Sequence, residues 1–189
     1  GEANKDDIVK ASDLGADEYL IKPYQAEPIL SKVKSVLNKF YSPTPVIKAL
    51  RTGDRYMLAH QYDQAEQIYA KALEKDGSSK RARHSHALSL FHLGKVQEAV
   101  SALTQNYLEA PSFYKNFASL ANIYLQNGDE AMAVDCMEKE LELNPKQTQR
   151  QIELGNLMFK RDNLQGAMDN YREALKENVK VKGERGASG

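Results

Sequence analysis

The chain has 189 residues, of which 41% are hydrophobic and 28% are charged, a balance typical of globular domains with a packed core. Its 26 basic and 26 acidic residues cancel, so the sequence excludes an overall electrostatic attraction for nucleic acid or an anionic membrane. The single cysteine, Cys136, excludes an internal disulfide, and no apolar run reaches the roughly 18 residues that a membrane-spanning helix needs.

The first part of the chain combines helical and extended patterns. Apolar residues at helical spacing predict a short helix that stops near Gly15, and the next apolar run predicts a strand over 17–21. A second amphipathic helix is predicted over 28–40, followed by a stiff Pro-rich linker at 42–45.

The predicted strand has no predicted partner. Backbone N–H and C=O groups of a strand need a ladder, and no other segment has a strand pattern. A piece of sheet is therefore missing or supplied by another molecule, and we expect a homodimer through this orphan strand as one outcome.

Residues 13–24, with the sequence DLGADEYLIKPY, closely resemble the last strand of a bacterial response-regulator receiver domain. The alternative is a chance strand-helix segment. The resemblance covers helix four to helix five of such a domain, and we interpret residues 1–41 as a partial receiver. It implies that Lys22 would contact the phosphoryl group on an acceptor aspartate and that Tyr19 would rotate on activation.

The receiver family places its acceptor aspartate, its acidic metal-binding pair and its Ser/Thr switch upstream of the matched segment, and none has a counterpart here. The resemblance therefore implies a fragment of a longer regulator that performs no phosphotransfer itself. No cofactor is expected for the fragment, and Mg²⁺ only for an intact receiver. A cytoplasmic, bacterial location is the corresponding expectation.

A gap-free repeat of 34 residues follows, from 46 to 181. Alanines recur at positions 65, 99, 133 and 167. One further position is always small, with Gly53, Ala87, Ala121 and Gly155, and another is always large, with Tyr69, Leu103, Met137 and Tyr171. Small residues let two antiparallel helices approach while large ones fill the space beside them. The pattern predicts four helix pairs, at 46–79, 80–113, 114–147 and 148–181, and a disordered tail at 182–189.

This pattern resembles the tetratricopeptide family, whose period is 34 residues. The resemblance implies a mainly α fold, a right-handed α-solenoid whose concave groove is lined by the first helix of each repeat. The sequence departs from the family at two positions. The family often places an aromatic residue early in the first helix of a repeat, and this position holds Ala49, Arg83, Phe117 and Gln151 here. In the second helix, Asn106 and Glu140 stand where the other two repeats have Ala72 and Ala174.

Carrying the groove positions of the family over by register gives a candidate peptide-binding groove. Its residues are Arg81, His84, Leu88, Phe91, His92, Lys115, Asn122, Asn156, Phe159 and Lys160. Cations, amides and phenylalanines suit an extended or helical peptide with acidic and apolar side chains, and the two asparagines can hold a peptide backbone. The alternative is a solvated inner face with no single ligand. The carboxylate clamp of some family members is not reproduced.

Two other features have plain interpretations. His84 and His92 share a helical face but lie about 12 Å apart along it, too far for one metal ion. Cys136 lies in the second helix of the third repeat and is expected to be a small apolar core residue.

The chain is not expected to be an enzyme, because no nucleophile-base set, phosphate loop or metal spacing occurs. Our main hypothesis is the protein-binding output arm of a two-component response regulator in phosphorelay signalling. The alternative is a repeat scaffold or self-assembly protein in which the receiver remnant has no signalling role. The last repeat lacks a cap helix, which predicts that Leu154, Leu157 and Leu175 are partly uncovered and offers a second route to a homodimer. Nucleic-acid and membrane partners are not expected.

Overall fold

A computed structural model describes the backbone of residues 26–186 and the side chains of residues 26–38 and 40–176. This part of the chain contains nine α-helices and no strand. The helices are α1 (Ala26–Tyr41), α2 (Pro45–Leu58), α3 (Tyr62–Lys75), α4 (Lys80–His92), α5 (Val96–Glu109), α6 (Lys115–Gln126), α7 (Glu130–Leu143), α8 (Thr148–Lys160) and α9 (Leu164–Gly186).

Helices α2 to α9 form the four helix pairs that the 34-residue repeat predicts, and α1 is the second amphipathic helix predicted over 28–40. The predicted strand at 17–21, with Tyr19 and Lys22, lies outside the described residues. The fold class is therefore all-helical over the described part of the chain, and the α/β receiver remnant has no structural support there.

The structure describes part of the stretch that was expected to form the tail. Helix α9 continues to Gly186, into the stretch 182–189 for which the sequence predicted disorder. Lys182, Glu184 and Arg185 are good helix formers, so charge alone did not end the helix.

The chain divides into two compact units, one up to Phe113 and one from Tyr114. The N-terminal unit contains α1 to α5 and the C-terminal unit contains α6 to α9. Within each unit, the two helices of a repeat pack against each other, and the second helix also packs on the first helix of the next repeat. This is the arrangement by which repeats stack within each unit.

Side chains and turns set the helix boundaries. Thr44, Ser79 and Asp129 cap α2, α4 and α7 by accepting a hydrogen bond from a backbone N–H three residues later, at 3.1–3.3 Å. Pro45 begins α2 because its missing N–H would have no helical partner. These contacts satisfy donors that the first turn of a helix leaves open.

The turn inside each repeat uses a left-handed backbone at one equivalent position. Gly94 and Gly128 have φ of +79° and +80°, and His60 and Asp162 have φ of +56° and +58°. Glycine adopts this conformation without steric cost, whereas His60 and Asp162 hold it against the clash of their Cβ atoms.

Each core is built from small and large residues that fit together. In the N-terminal unit, Tyr69 packs so closely on Gly53 that a Cβ at Gly53 would lie 2.4 Å from the ring. In the C-terminal unit, the same contact joins Tyr171 and Gly155, where a Cβ would lie 2.6 Å from the ring. The alternation of size seen in the sequence is therefore a direct packing contact between the two helices of a repeat.

The expected exposure of the last repeat is wrong for two of its three leucines. Leu154 is 2% exposed and Leu157 is 9% exposed, because α8 packs between α7 and α9. Leu175 is 64% exposed, as expected for a residue of α9 that does not face α8. Separately, no helix within residues 26–186 is long and apolar enough to cross a membrane.

Candidate protein-binding surfaces

In the N-terminal unit, the candidate residues lie on α4, and the first of them is already in an ion pair. Arg81 Nη2 donates to Asp54 Oδ2 on α2 at 2.7 Å, and the hydroxyl of Tyr69 donates to Asp54 Oδ1 at 2.7 Å. Burial and the neighbouring Asp54 raise the pKa of the Tyr69 hydroxyl, so it stays a donor in this contact. The positive charge of Arg81 is thus compensated within the chain.

The two candidate histidines of α4, His84 and His92, make aromatic contacts at opposite ends of the helix. His84 meets the ring of Phe113 edge-on at 5.5 Å, and His92 stacks flat on Tyr62 at 4.5 Å. Tyr62 is also hydrogen-bonded to His60 Nδ1 at 2.7 Å. The structure does not bring His84 and His92 together, and no group of three metal-binding side chains occurs among the described residues.

The apolar candidates of α4 are half-buried. Leu88 and Phe91 are both partly covered, and the ring of Phe91 lies 5.6 Å from that of His92. This surface, which we call the α4 surface, therefore presents an aromatic cluster beside an ion-paired arginine.

In the C-terminal unit, the candidate residues lie on α6 and α8, and two of them are exposed asparagines. Both guanidinium Nη atoms of Arg150 donate to Asn122 Oδ1 at 3.3 Å, and the Tyr171 hydroxyl donates to Asn156 Oδ1 at 2.7 Å. Because arginine has no acceptor, its contact establishes which end of the Asn122 amide is the oxygen. The tyrosine hydroxyl can donate or accept, so only the Asn122 amide has its orientation fixed by its partner. With the oxygen of each amide bound inside the unit, the NH₂ group is the end offered to a ligand.

The remaining candidates flank these amides. Lys160 is ion-paired with Glu130 of α7, and Lys115 is half-buried at the start of α6. Phe159 is 60% exposed and is the large apolar side chain that α8 presents to solvent. We call these residues and the two asparagines the α6–α8 surface.

A buried polar cluster lies beneath the α6–α8 surface. Glu140 is 1% exposed, and its Oε1 accepts a hydrogen bond from Gln147 Nε2 at 2.8 Å. Arg150 Nε lies 2.8 Å from Oε2 in an ionic contact, and Arg150 Nη1 donates to Glu153 Oε2 at 2.9 Å. Burial raises the pKa of the Glu140 carboxyl, and the charge of Arg150 opposes that rise.

The sequence shows Glu140 as a departure from the alanine found in other repeats, but Arg150 was not identified from the sequence as its partner. The signal was present in the register of the repeats, since Arg150 and Glu140 occupy the positions of Ala82 and Ala72 two repeats earlier and of Asn116 and Asn106 one repeat earlier. A paired change, from two alanines to two asparagines to an opposite-charge pair, indicates that the two positions meet.

Cys136 is a core residue, as expected. It is 7% exposed, and burial raises the pKa of its thiol to about 11. At neutral pH the sulfur is a thiol, which is neither a good nucleophile nor a good metal ligand.

Stacked antiparallel helix pairs with polar first-helix surfaces define a helical-repeat protein, a class whose members are generally binding scaffolds rather than enzymes. Two models of the family described as tetratricopeptide repeat match this chain, over residues 50–114 and 114–147. The chain belongs to the tetratricopeptide-repeat family, and it is a protein–protein interaction scaffold.

Solved structures show the same fold. A crystal structure of MamA is 19% identical with a TM-score of 0.64, and the match covers 96% of this chain and 98% of that one. A MamA fragment from Desulfovibrio magneticus RS-1 is 15% identical with a TM-score of 0.60, over 94% and 97% of the two chains. PilF of Pseudomonas aeruginosa is 20% identical with a TM-score of 0.63, over 91% and 76%.

Curated relatives share only a segment with this chain. The human Protein O-mannosyl-transferase TMTC1 is 28% identical over 130 residues, which are 67% of this chain and 15% of that protein. The human General transcription factor 3C polypeptide 3 is 30% identical over 86 residues, which are 46% of this chain and 10% of that protein. The chain thus spans a small part of these relatives.

Proposed function

We propose that the repeats bind an extended peptide segment of a partner protein on the α6–α8 surface. The observation that carries this proposal is the pair Asn122 and Asn156, which occupy the same position in successive repeats. Both are exposed, and the oxygen of each amide is bound within the unit. Two amide NH₂ groups on the first helices of successive repeats suit two main-chain carbonyls of an extended ligand that are separated by more than one residue.

The charges of the candidate surfaces argue for an apolar rather than a strongly acidic ligand. Arg81 is paired with Asp54, and Lys160 is paired with Glu130. An acidic residue of the ligand would share each cation with a carboxylate of the chain, and the negative charge of that carboxylate would weaken the attraction. Phe159, 60% exposed beside Lys160, offers the apolar contact instead.

A displayed library of random peptides about twelve residues long, selected on the immobilised chain, provides a probe even though the partner is unidentified. A selected peptide is then titrated by fluorescence anisotropy against Asn122→Ala and Asn156→Ala. We expect each substitution to weaken binding about fivefold, the equivalent of one hydrogen bond of ~1 kcal/mol.

The matched control is Asn127→Ala, which removes an exposed amide just beyond the end of α6. Its affinity should equal that of the unsubstituted chain. If all three variants bind alike, or if selection yields no peptide, the α6–α8 surface is not the binding site.

Self-assembly is the second candidate, because α9 exposes three large apolar side chains. Leu164, Met168 and Leu175 are 56%, 47% and 64% exposed. Light scattering over a range of concentrations should then give an oligomer that Leu175→Glu dissociates. A monomer at all concentrations would leave peptide binding as the remaining candidate.

The regulator hypothesis rests on residues 13–24 alone. The matching family models cover residues 50–147, and the structure describes the chain from residue 26. Scaffolding accounts for the described residues without a phosphorylation switch, so the proposal does not include one.

A further inference from the structure

We infer that Arg150 is a positioning residue of the α6–α8 surface, held in place by the buried Glu140 so that it orients the amide of Asn122 toward the ligand. This inference rests on the proposed function, since it concerns how that surface is prepared for binding.

The first step is a comparison of equivalent helix contacts in the two units. In the N-terminal unit, Ala72 of α3 and Ala82 of α4 are fully buried members of one apolar cluster. Two repeats later the same positions hold Glu140 of α7 and Arg150 of α8. Replacing a well-packed apolar contact by a buried ion pair adds little or no stability, because both charges lose their water. The pair therefore calls for a role other than holding the repeats together.

The second step is the geometry of the Arg150 guanidinium, whose side chain is 11% exposed. Its nitrogen atoms contact oxygens on three sides, at 2.8 Å for Glu140, 2.9 Å for Glu153 and 3.3 Å for Asn122. Glu140 is in turn held by Gln147. Rotating the guanidinium away from Asn122 would move it away from two carboxylates, one of them buried, and this ionic attraction favours the present orientation.

The third step is what this orientation does to Asn122. An unsupported asparagine amide turns easily, and its two ends are nearly equal in size. Arg150 contributes donors only, so it binds the oxygen and excludes the flipped amide. The exposed end is therefore a donor, which matches a carbonyl and not an N–H group. Two repeats earlier, in the N-terminal unit, the positions of Asn122 and Arg150 hold Asp54 and Ala82, so that unit lacks both the amide and its support.

The main test restores the alanine pair of the N-terminal unit in the C-terminal unit, through Glu140→Ala together with Arg150→Ala. This double variant leaves no unpaired buried charge. Side-chain amide signals of Asn122 in ¹⁵N NMR spectra report its order without any ligand. We expect them to shift and their order to fall, while those of Asn156, which Tyr171 holds, stay unchanged.

Binding supplies the second readout, with a peptide selected from the displayed library as the probe. Arg150→Gln should weaken binding about fivefold in the normal chain and have no effect once Asn122 is alanine. Arg150→Lys keeps the charge but has a single donor group. Its affinity should therefore lie between that of the normal chain and that of Arg150→Gln.

Each outcome separates the inference from the proposed function. Unchanged Asn122 signals in the double variant would overturn the inference. An equal loss of affinity on Arg150→Gln in the normal chain and in the Asn122→Ala chain would overturn it as well. If the Asn122 signals shift in the double variant but substitutions of Asn122 and Arg150 leave peptide affinity unchanged, the positioning contact is confirmed and the proposed binding site is wrong.

Discussion

At the scale of single residues, the contact between Gly53 and Tyr69 sets how closely the helices of the first repeat approach. A Cβ at Gly53 would lie 2.4 Å from the Tyr69 ring, and the ring is held by the hydrogen bond to Asp54. Gly53→Ala should therefore lower the free energy of unfolding by about 1–3 kcal/mol, measured by urea denaturation. Gly77→Ala is the control, because a Cβ there meets only Leu73 O at 3.6 Å.

The repeats themselves suggest a compensating change. The second repeat holds Ala87 and Leu103 at the positions of Gly53 and Tyr69. Tyr69→Leu should therefore cost less free energy of unfolding in the Gly53→Ala background than in the normal chain. A purely additive double-mutant cycle would show that the two residues do not compete for the same space.

The reactivity of Cys136 tests the burial of α7 directly. Its pKa of about 11 lies above the value of an exposed thiol, so its thiolate fraction at pH 8 is small. A native chain should react with iodoacetamide more slowly than the urea-unfolded chain by at least about a hundredfold. Comparable rates would mean that α7 opens readily or that the thiol is exposed.

At the scale of elements, the turn at Asp162 joins α8 to α9 through a backbone that glycine adopts more easily. Its φ is +58°, and the equivalent positions in the second and third repeats are Gly94 and Gly128. Asp162→Gly should raise the free energy of unfolding by about 1 kcal/mol, read from thermal and urea denaturation. A loss of stability would show that the Asp162 side chain makes a compensating contact.

The contact between α7 and α8 should make stability depend on pH. Burial raises the folded-state pKa of Glu140 above its unfolded value near 4.3, while Arg150 opposes the rise and Glu153 adds to it. Protonation therefore favours the folded state, and this contribution is lost as the pH rises through the folded pKa. Compared with Glu140→Gln, the normal chain should lose free energy of unfolding as the pH is raised from about 4. A pH-independent difference between the two chains would contradict this sign.

The fold was predictable because the repeat imposes it at short range. Gly53 and Tyr69, and the pairs equivalent to them, follow from size alone, and a left-handed turn follows from Gly94 and Gly128. The ion pairs of the candidate binding surfaces could not be predicted in the same way. The partners of Arg81 and Lys160 lie 27 and 30 residues away in sequence, on other helices, so neither helix pattern reveals that the two cations are ion-paired.

At the scale of the whole molecule, balanced charge predicts how binding responds to salt. The chain carries 26 basic and 26 acidic residues, and Arg81 and Lys160 are both internally paired. Steering of a ligand by long-range charge should therefore be weak, and amide and apolar contacts should supply most of the affinity. Between about 0.05 M and about 0.5 M sodium chloride, the dissociation constant of a selected peptide should change less than about threefold. Charge reversal at Lys115, the candidate cation of α6, is the companion measurement: a steep salt dependence that this substitution abolishes would return the acidic-peptide hypothesis to first place.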